Sequence, residues 1–478
     1  DGVIPVVDHA AVGEGREVVV VAGLEGDPVE VLGGMGAVGF LLLHEDVEAQ
    51  GRDPKVDEAL HVEGRGQEEH RDVGVRLQQA LRDGTVALIE STASQVNLSG
   101  GYTGLTPHRF RRQVLQMAMQ IGLPSDRIII GGDHIGPHPW RHASADHALQ
   151  QASALASACV QAGYRKMHLD TTTPCGNEAR QPDGSLPLEL ISRRAADLCR
   201  VAEHSASQAG LAPPYYVIGS DVPPPGGSDM AEKTVPVTDA EQIGETVSAC
   251  RRAFENRGLS NAWQRVLALV VQTGAEFTPR MVHPYASDRM QPQVAYIRQT
   301  DHLLFEAHST DFQPPAALAR MVADHFGILK VGPALTYAMR EAFFALAEIE
   351  KDASGGRKSV SGSYLPEIME TLMVSDPGSW QRYYRGTEEE MAYLRRHAYS
   401  DRIRYYWSRP EAQAALKRLF ATLRQTPPPL SLVLQHLPEA GHKIRDGRLA
   451  NDPEQIVLDR IGAVANRYAR ACNPALAD

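Results

Sequence analysis

The sequence predicts an α/β fold, a (β/α)8-type barrel of the TIM class with a helical C-terminal appendage. Three observations predict it. From Thr85 to Lys351, short apolar β-branched runs alternate with longer stretches of helical periodicity. Nearly every apolar run ends in a polar cluster, and after about Ser361 the alternation gives way to helical stretches alone. Strict alternation implies a parallel sheet with helical crossovers. An open doubly wound sheet would gather its polar residues at one switch point. A barrel uses the ends of many strands at once, and here the polar ends are spread along the whole series. Seven strands are readily placed, and the eighth is expected in the N-terminal part.

Residues 1–84 read as an atypical segment rich in Gly, Val, Glu and Asp. Val18 to Ala22 and Val38 to Leu43 have strand character, and a charged run from Glu45 to Arg76 follows. Gly33-Gly34-Met35-Gly36 is no phosphate loop, because no Lys-Ser/Thr follows it. With no site motif, the segment is not expected to be an independent functional domain.

Residues 85–352 read as the barrel core. Val86 to Ile89 is a strand ending in Glu90-Ser91-Thr92, with Gln95 and Asn97 just beyond. Thr106-Pro107 gives an N-cap with Pro at N1, Phe110, Val114, Met117 and Ile121 recur at helical spacing, and Gly122 closes that helix. The strand Arg127 to Ile130 runs into Gly131-Gly132-Asp133-His134, where the glycines are expected to turn the backbone and leave room above the strand end. A helix from Ser144 to Gly163 leads to the strand Lys166 to Leu169 and Asp170. A helix from Pro187 to Ala209 leads to Tyr215 to Ile218 and Asp221. A helix from Asp239 to Arg257 leads to Val266 to Val271, then Gln272 and Glu276. Leu303 to Phe305 ends in Glu306-Ala307-His308-Ser309-Thr310-Asp311, and Ile328 to Val331 ends in Gly332-Pro333 before a helix to Lys351. Residues 353–478 read as the helical C-terminal region, whose Tyr-rich clusters suit packing at amphipathic spacing.

The 478 residues carry a net charge of −11, which argues against a nucleic-acid partner, since such proteins show a basic face. No apolar run approaches the roughly 20 residues of a membrane helix, and the start lacks a basic region followed by an apolar core, so no signal peptide is expected. The five cysteines are scattered without a CxxC, which suits free thiols in a reducing, cytoplasmic compartment.

Gathered at one barrel face, the candidates for chemistry are Glu90, Gln95, Asn97, Asp133, His134, Asp170, Asp221, Gln272, Glu276, Glu306, His308, Ser309, Asp311 and Lys330. Two histidines plus carboxylates from different strand ends suit a divalent metal, with zinc the expected ion. A neighbouring carboxylate would move protons beside a metal-polarised carbonyl. A hydrogen-bonded network capping the barrel would use the same residue types. His138, His142 and His147 are expected on the surface or on a helix face.

Several long, ordered motifs resemble the Z-type subunits of class II D-tagatose-1,6-bisphosphate aldolase. They are Leu88-Ile89-Glu90-Ser91-Thr92-Ala93-Ser94-Gln95-Val96-Asn97, Gly131-Gly132-Asp133-His134, His168-Leu169-Asp170, Pro223-Pro224-Pro225-Gly226-Gly227, Glu306-Ala307-His308-Ser309-Thr310-Asp311 and Leu329-Lys330-Val331-Gly332-Pro333. The similarity runs from about Thr85 into Ser400-Asp401-Arg402-Ile403-Arg404-Tyr405-Tyr406-Trp407. It implies a TIM-barrel relative of class II aldolases acting on ketohexose phosphates in galactitol or amino-sugar catabolism. It implies Asp133 as catalytic acid/base, and His134 and His308 as metal ligands. Glu276, where catalytic aldolases have a His, is implied in both catalysis and metal binding. Glu90, Gln95, Asn97, Asp170, Asp221, Ser309 and Gly332 are assigned to the substrate, with Ser309 and Gly332 near its phosphate. The chain departs from the family pattern at Asp221, where a Glu is usual, and at Pro174-Cys175-Gly176-Asn177, where Cys-Ala-Gly is usual.

The resemblance carries two functional expectations. The first is an oligomeric accessory subunit that supports a separate catalytic class II aldolase subunit. The alternative is a metal-dependent tagatose/fructose 6-phosphate 4-epimerase. An epimerase must keep a metal site, whereas an accessory subunit need not.

Overall fold

The structure, a computed structural model, describes residues 21–22, 40–44, 71–219, 235–300, 302–353 and 362–473. Its strands are β1 (Val21–Ala22), β2 (Phe40–His44), β3 (Thr85–Thr92), β4 (Ile128–Ile135), β5 (Lys166–Leu169), β6 (Tyr215–Ile218), β7 (Val266–Val270), β8 (Glu276–Phe277), β9 (Val282–His283), β10 (Leu304–Ala307) and β11 (Phe326–Leu329). One sheet has the order β1-β2-β3-β4-β5-β6-β7-β10-β11, and β8 and β9 form a separate antiparallel hairpin. The seven strands from β3 to β11 in that sheet all run parallel, as the alternation predicts.

The sheet is curled, because Lys330 at the end of β11 forms an ion pair with Glu90 of β3 at the opposite end of the parallel series. In place of the expected closed eight-stranded barrel, the described residues form a curled seven-stranded parallel sheet. On its other edge β3 pairs with β2, which runs antiparallel, and among the described residues no parallel strand joins β11 to β3.

Strand period sorts the side chains into two cores. Ala87, Ile89, Ile130, Met167, Leu169, Tyr216, Ile218 and Leu269 belong to the large core shared with the helices. Val86, Ile129, Val217, Ala268, Val270 and Ile328 form a small second cluster, on the face that also carries Glu90 and Lys330. That second cluster is the apolar floor beneath the polar strand ends.

The helices follow the expected signals with small shifts. Asp239 caps Ala240–Glu255 through a capping box with Gln242. Ser144 caps Ala145–Gln161, and Gly122 closes Pro107–Ile121 in a left-handed conformation (φ 80°). The helix Arg71–Arg82 is an addition to the expected elements. Its Val75, Leu77 and Ala80 join the main core, and Arg76 donates to the Val86 carbonyl at 2.9 Å. The charge of the surrounding run hides this apolar stripe from a sequence reading.

The C-terminal helices pack on the helices that surround the sheet. Pro453–Cys472 packs on Pro333–Ala353, Pro315–Ala323 and Arg71–Arg82. The buried Asp401 accepts from Arg340 Nε and Thr336 Oγ1, both at 2.7 Å, and so ties the Ser400–Trp407 stretch to Pro333–Ala353. No helix among the described residues is long and apolar enough to cross a membrane.

The glycines of β4 behave differently from the expectation. Gly131 and Gly132 are extended residues inside the strand, which continues to Ile135, and the left-handed residue is His134 (φ 50°). The turn comes after the chemistry-bearing pair. Gly136 then passes the end of β5 so closely that a Cβ there would lie 1.6 Å from the Asp170 carbonyl oxygen. Gly136→Ala is therefore expected to lower stability by about 3 kcal/mol or more, since a backbone clash cannot relax by rotamer change. Gly332→Ala, with nothing within 4 Å of its Cβ, is expected to stay within about 0.5 kcal/mol. Denaturant unfolding of the two variants checks this, and equal midpoints would refute the packing argument.

Candidate metal centre

Above the apolar floor lies a layer of buried charge. Lys166 Nζ, on a side chain 1% exposed, sits 2.7 Å from Glu90 Oε1 and 2.6 Å from Glu306 Oε2. Lys330 Nζ pairs with Glu90 as well and lies 3.3 Å from Asp133 Oδ1. Gly131 makes the layer possible. Glu90, Gly131 and Lys166 stand in one row across three strands, and a Cβ at Gly131 would come within 2.6 Å of Glu90 Oε1. The glycine lets a carboxylate pass over the strand.

One step nearer the strand ends, Asp133, His168, Glu306 and His308 converge, all buried, with donor atoms within 4.8 Å of one another. Asp133 Oδ1 is 3.0 Å from His168 Nδ1 and 4.0 Å from His308 Nε2, and His308 Nε2 is 2.8 Å from Glu306 Oε1. His168 Nε2 donates to the Gly219 carbonyl at 2.7 Å. A ring so bound turns Nδ1 toward the Asp133 oxygen, and the His134 N–H also reaches that Nδ1 at 3.4 Å. Two imidazoles and two carboxylates are a donor set for a divalent cation. The hydrogen bond behind His168 is the kind of outer contact that fixes a ligand's tautomer.

The charges agree with this fit. Glu90, Asp133, Asp170 and Glu306 bring four negative charges, and Lys166 and Lys330 bring two positive ones. With neutral imidazoles the remainder is two negative charges while Lys330, which burial lowers to about 7, is protonated, and three when it is not. Without such a cation the histidines take up the load. Burial would raise the Asp133 carboxyl, but His134, His308 and His168 hold it well below the usual range. Burial likewise opposes ionisation of Glu306, yet Lys166 and His308 bring it down to about 2. Burial disfavours a charged His134, but Asp133 and Asp170 raise it to about 9.

His134 stands beside the four donors. Its ring centroid lies 5.0 Å from that of His168 and 5.1 Å from that of His308. Its Nδ1 is 2.8 Å from Asp170 Oδ2, and its Nε2 is 3.6 Å from Asp133 Oδ2. Asp170 Oδ1 accepts from the Thr172 hydroxyl at 2.7 Å and its N–H at 3.2 Å, which fixes the orienting carboxylate. Left-handed backbone at His134, Ser309 and Phe312 (φ 50°, 52° and 62°) is costly for residues with side chains. Its clustering at these strand ends is the pattern of a functional site.

The other expected residues are placed as follows. Asn97 Oδ1 accepts from the N–H groups of Ser99 and Gly101, and its Nδ2 donates to Ala93. Gln95 Oε1 accepts from the Thr92 N–H at 2.8 Å. Both shape the loop after β3. Gln272 Oε1 accepts from Gly274 N–H at 3.0 Å. Glu276 is buried in the β8–β9 hairpin, where Oε1 accepts from Phe277 N–H at 2.9 Å and Oε2 finds no hydrogen-bond partner. Burial pushes it up to about 7, with the Phe277 N–H opposing. Gly332 and Ala334 both donate their N–H to Asp311 Oδ1, at 3.0 and 2.8 Å. Asp221 and Pro223–Gly227 lie outside the described residues. The structure thus gathers Glu90, Asp133, His134, Asp170 and His308 with Glu306 and Lys330 at one centre. Glu276 and Ser309 lie beside the loop of His308, outside the four donors.

Lys166 and His168 were not among the candidates. The available signal was their alternation in Lys166-Met167-His168-Leu169, which puts two polar side chains on one face of a fully buried strand.

Residues 71–473 match the family model described as "D-tagatose-1,6-bisphosphate aldolase subunit GatZ/KbaZ-like". The chain belongs to this family. It is 42% identical over 395 residues to the D-tagatose 6-phosphate 4-epimerase of Agrobacterium fabrum, covering 83% of this chain and 91% of that protein. It is also similar to a crystal structure described as a probable tagatose 6 phosphate kinase from Sinorhizobium meliloti 1021, with 39% identity and a TM-score of 0.76. That match covers 84% of this chain and 97% of the solved one.

Metal analysis checks the donor set. His168→Ala and His308→Ala are each expected to weaken binding of a divalent cation by about 100-fold, and His134→Ala by about tenfold or less. Equilibrium dialysis against a chelator measures this, and undiminished binding in either of the first two variants removes that residue as a ligand.

Proposed function

We propose that this chain is itself an enzyme, a metal-dependent 4-epimerase that interconverts tagatose 6-phosphate and fructose 6-phosphate by retro-aldol and aldol steps. The observation that carries this reading is the buried group of Asp133, His168, Glu306 and His308 on a single chain. A subunit acting only through an interface has no use for these buried charges. The family description supports an aldolase-subunit role, while the relative that matches over most of both chains is named as a 4-epimerase. The five cysteines are buried free thiols, which suits a reducing compartment such as the cytoplasm.

The four donors would hold the cation, with zinc matching the nitrogen and oxygen set. When bound, it supplies Lewis acidity to the sugar carbonyl and its neighbouring hydroxyls. The chain's residues carry the proton. The C4 hydrogen of a ketohexose is not acidic, because the C2 carbonyl activates only C1 and C3. Inversion at C4 therefore goes through the C3–C4 bond. Asp133 faces the four-donor centre with Oδ1 and His134 with Oδ2, so the Asp133–His134 pair is placed to take the C4 hydroxyl proton. Cleavage gives an aldehyde at C4 and an enediolate over C1 to C3. The aldehyde half rotates, C3 re-adds to its other face, and the proton returns to O4. Asp170 keeps the His134 ring in orientation throughout.

The purified chain alone, supplied with a divalent metal, should convert tagatose 6-phosphate to fructose 6-phosphate. In heavy water the product should carry no deuterium at C4, and substantial incorporation there would exclude the cleavage route. Activity that appears only when a catalytic class II aldolase is added would instead establish the accessory-subunit role.

A further inference from the structure

The stretch Ser400–Trp407, which no step of the mechanism uses, carries an arginine to the strand ends. Asp401 is left-handed (φ 46°) and opens the 3-10 turn Arg402–Tyr406. Its carboxylate accepts from Thr336 Oγ1 at 2.7 Å, near the start of the helix Pro333–Ala353 that follows β11. On the other side, the Tyr405 ring meets the Tyr102 ring edge-on, with centroids 5.3 Å apart. Tyr102 belongs to the loop after β3, where its N–H donates to the Ser94 carbonyl at 3.1 Å. That loop leaves β3 next to the proposed proton-transfer pair, since Ala93 N–H donates to the Asp133 carbonyl at 3.0 Å. Arg404, one residue before Tyr405, therefore stands between the segments that follow β11 and β3. These are the two strands that Lys330 and Glu90 join.

The contacts of Arg404 fix its guanidinium and leave part of it unmet. Nη1 donates to the carbonyl oxygens of Ser400 and Asp401, the second at 3.3 Å, and Nη2 donates to the Tyr405 hydroxyl at 2.8 Å. A guanidinium carries five N–H donors. Among the described residues, the Nε–H and one N–H of Nη2 meet no acceptor. No carboxylate of those residues lies within ion-pair distance either, and that of the neighbouring Asp401 is taken by Arg340 Nε at 2.7 Å. The expected phosphate donors at Gly332 are already used, because Asp311 accepts from the N–H groups of Gly332 and Ala334. Resting on the epimerase reading, we propose that Arg404 binds the substrate's phosphate through Nε and Nη2, with the Tyr405 hydroxyl holding the guanidinium in place. Paired N–H donors match phosphate oxygens. The phosphate sits on C6, two carbons beyond C4, so its site must adjoin the residues that handle the C4 hydroxyl. An anchored phosphate also keeps the aldehyde half, which carries C4 to C6, from leaving while it turns.

The test uses the full chain and equilibrium calorimetry with fructose 6-phosphate, unphosphorylated fructose and inorganic phosphate. Arg404→Lys keeps the charge and loses the fork, and should weaken fructose 6-phosphate binding by about tenfold. Arg404→Met should weaken it by about 100-fold, and inorganic phosphate should no longer compete there. Tyr405→Phe keeps the ring against Tyr102 and removes only the hydroxyl, so a loss of about threefold is expected. Arg251→Ala, at an exposed residue paired with Glu255, should leave the affinity unchanged. Fructose, which lacks the phosphate, should bind all of these chains alike. A second measurement on the unaltered chain is independent of how the variants fold. Phenylglyoxal modifies arginine, and Arg404 is only partly buried. Fructose 6-phosphate and inorganic phosphate, but not fructose, should protect Arg404 from the reagent, as read by peptide mass. Unchanged fructose 6-phosphate affinity in Arg404→Lys and Arg404→Met, or no protection of Arg404 by either phosphate, overturns the subsite. Protection by phosphate in a chain that does not epimerise would uphold the subsite and refute the proposed function. Epimerisation with Arg404 left unprotected would refute the subsite alone.

Discussion

The Lys166 ammonium is the point on which the interior of the curled sheet depends. It is enclosed between Glu90 and Glu306 at 2.7 and 2.6 Å and reaches no solvent. Removing one partner from such a pair typically costs about 3–5 kcal/mol, because the other charge stays buried without compensation. The arrangement is therefore self-requiring. Lys166 needs both carboxylates, Glu90 needs the space left by Gly131, and Glu306 is thereby turned so that its other oxygen meets His308. A purely apolar filling would stabilise the sheet as well or better. Its presence argues that the layer serves what stands above it. A fixed Glu306 and a fixed Asp133 give His168 and His308 a defined centre to face.

The helical shell holds that centre from outside. Tyr468, on the last helix, donates to the Thr310 carbonyl at 2.8 Å, while Thr310 Oγ1 donates to the Lys330 carbonyl at 2.6 Å. The loop that follows β10 is thus fastened both to the C-terminal helix and to the end of β11. Phe312, in the same loop, meets Phe277, Tyr337 and Tyr399 at ring-centroid distances of 5.4, 5.2 and 4.8 Å. These contacts offset the cost of the left-handed residues Ser309 and Phe312. They also explain why motifs from distant parts of the chain belong to one family pattern. Asp401, bound to Arg340 and Thr336, supports the helix whose first N–H groups Asp311 caps.

The parallel alternation was legible because each strand from β3 to β11 in the main sheet is an apolar run broken by a polar end. The count of seven parallel strands could be read in the same way. Closure could not, since it depends on what pairs with the free edge of β3, and pairing partners leave no local pattern. The helix Arg71–Arg82 was obscured by the charges around its apolar stripe. At the site, Asp133, His134 and His308 were visible as polar residues after apolar runs. Lys166 and His168 were not, because they lie inside a strand and face a charge layer whose other members come from strands far along the sequence. Of the two tasks expected of the glycines, the turn falls to His134, while Gly131 does leave room, for Glu90 in a row of three strands that no local rule about turns can reveal.

The distinction between a working enzyme and an accessory subunit turns on charge. A binding surface is held by area and shape, and an interior of buried ions adds nothing to it. Here the interior retains four carboxylates against two lysines, one of them lowered to about 7 by burial, with imidazoles aimed between them. In the absence of a cation, Asp133 and Asp170 must hold His134 charged to limit the imbalance. The same proton that relieves the charge occupies the ring that stands next to the Asp133 oxygen. A cation at the four donors would take over that neutralisation and leave His134 free to exchange its proton with Asp133. On the proposed reading, filling the centre and mobilising a proton would be the same electrostatic event, which an aldol-type catalyst would use and an interface would not.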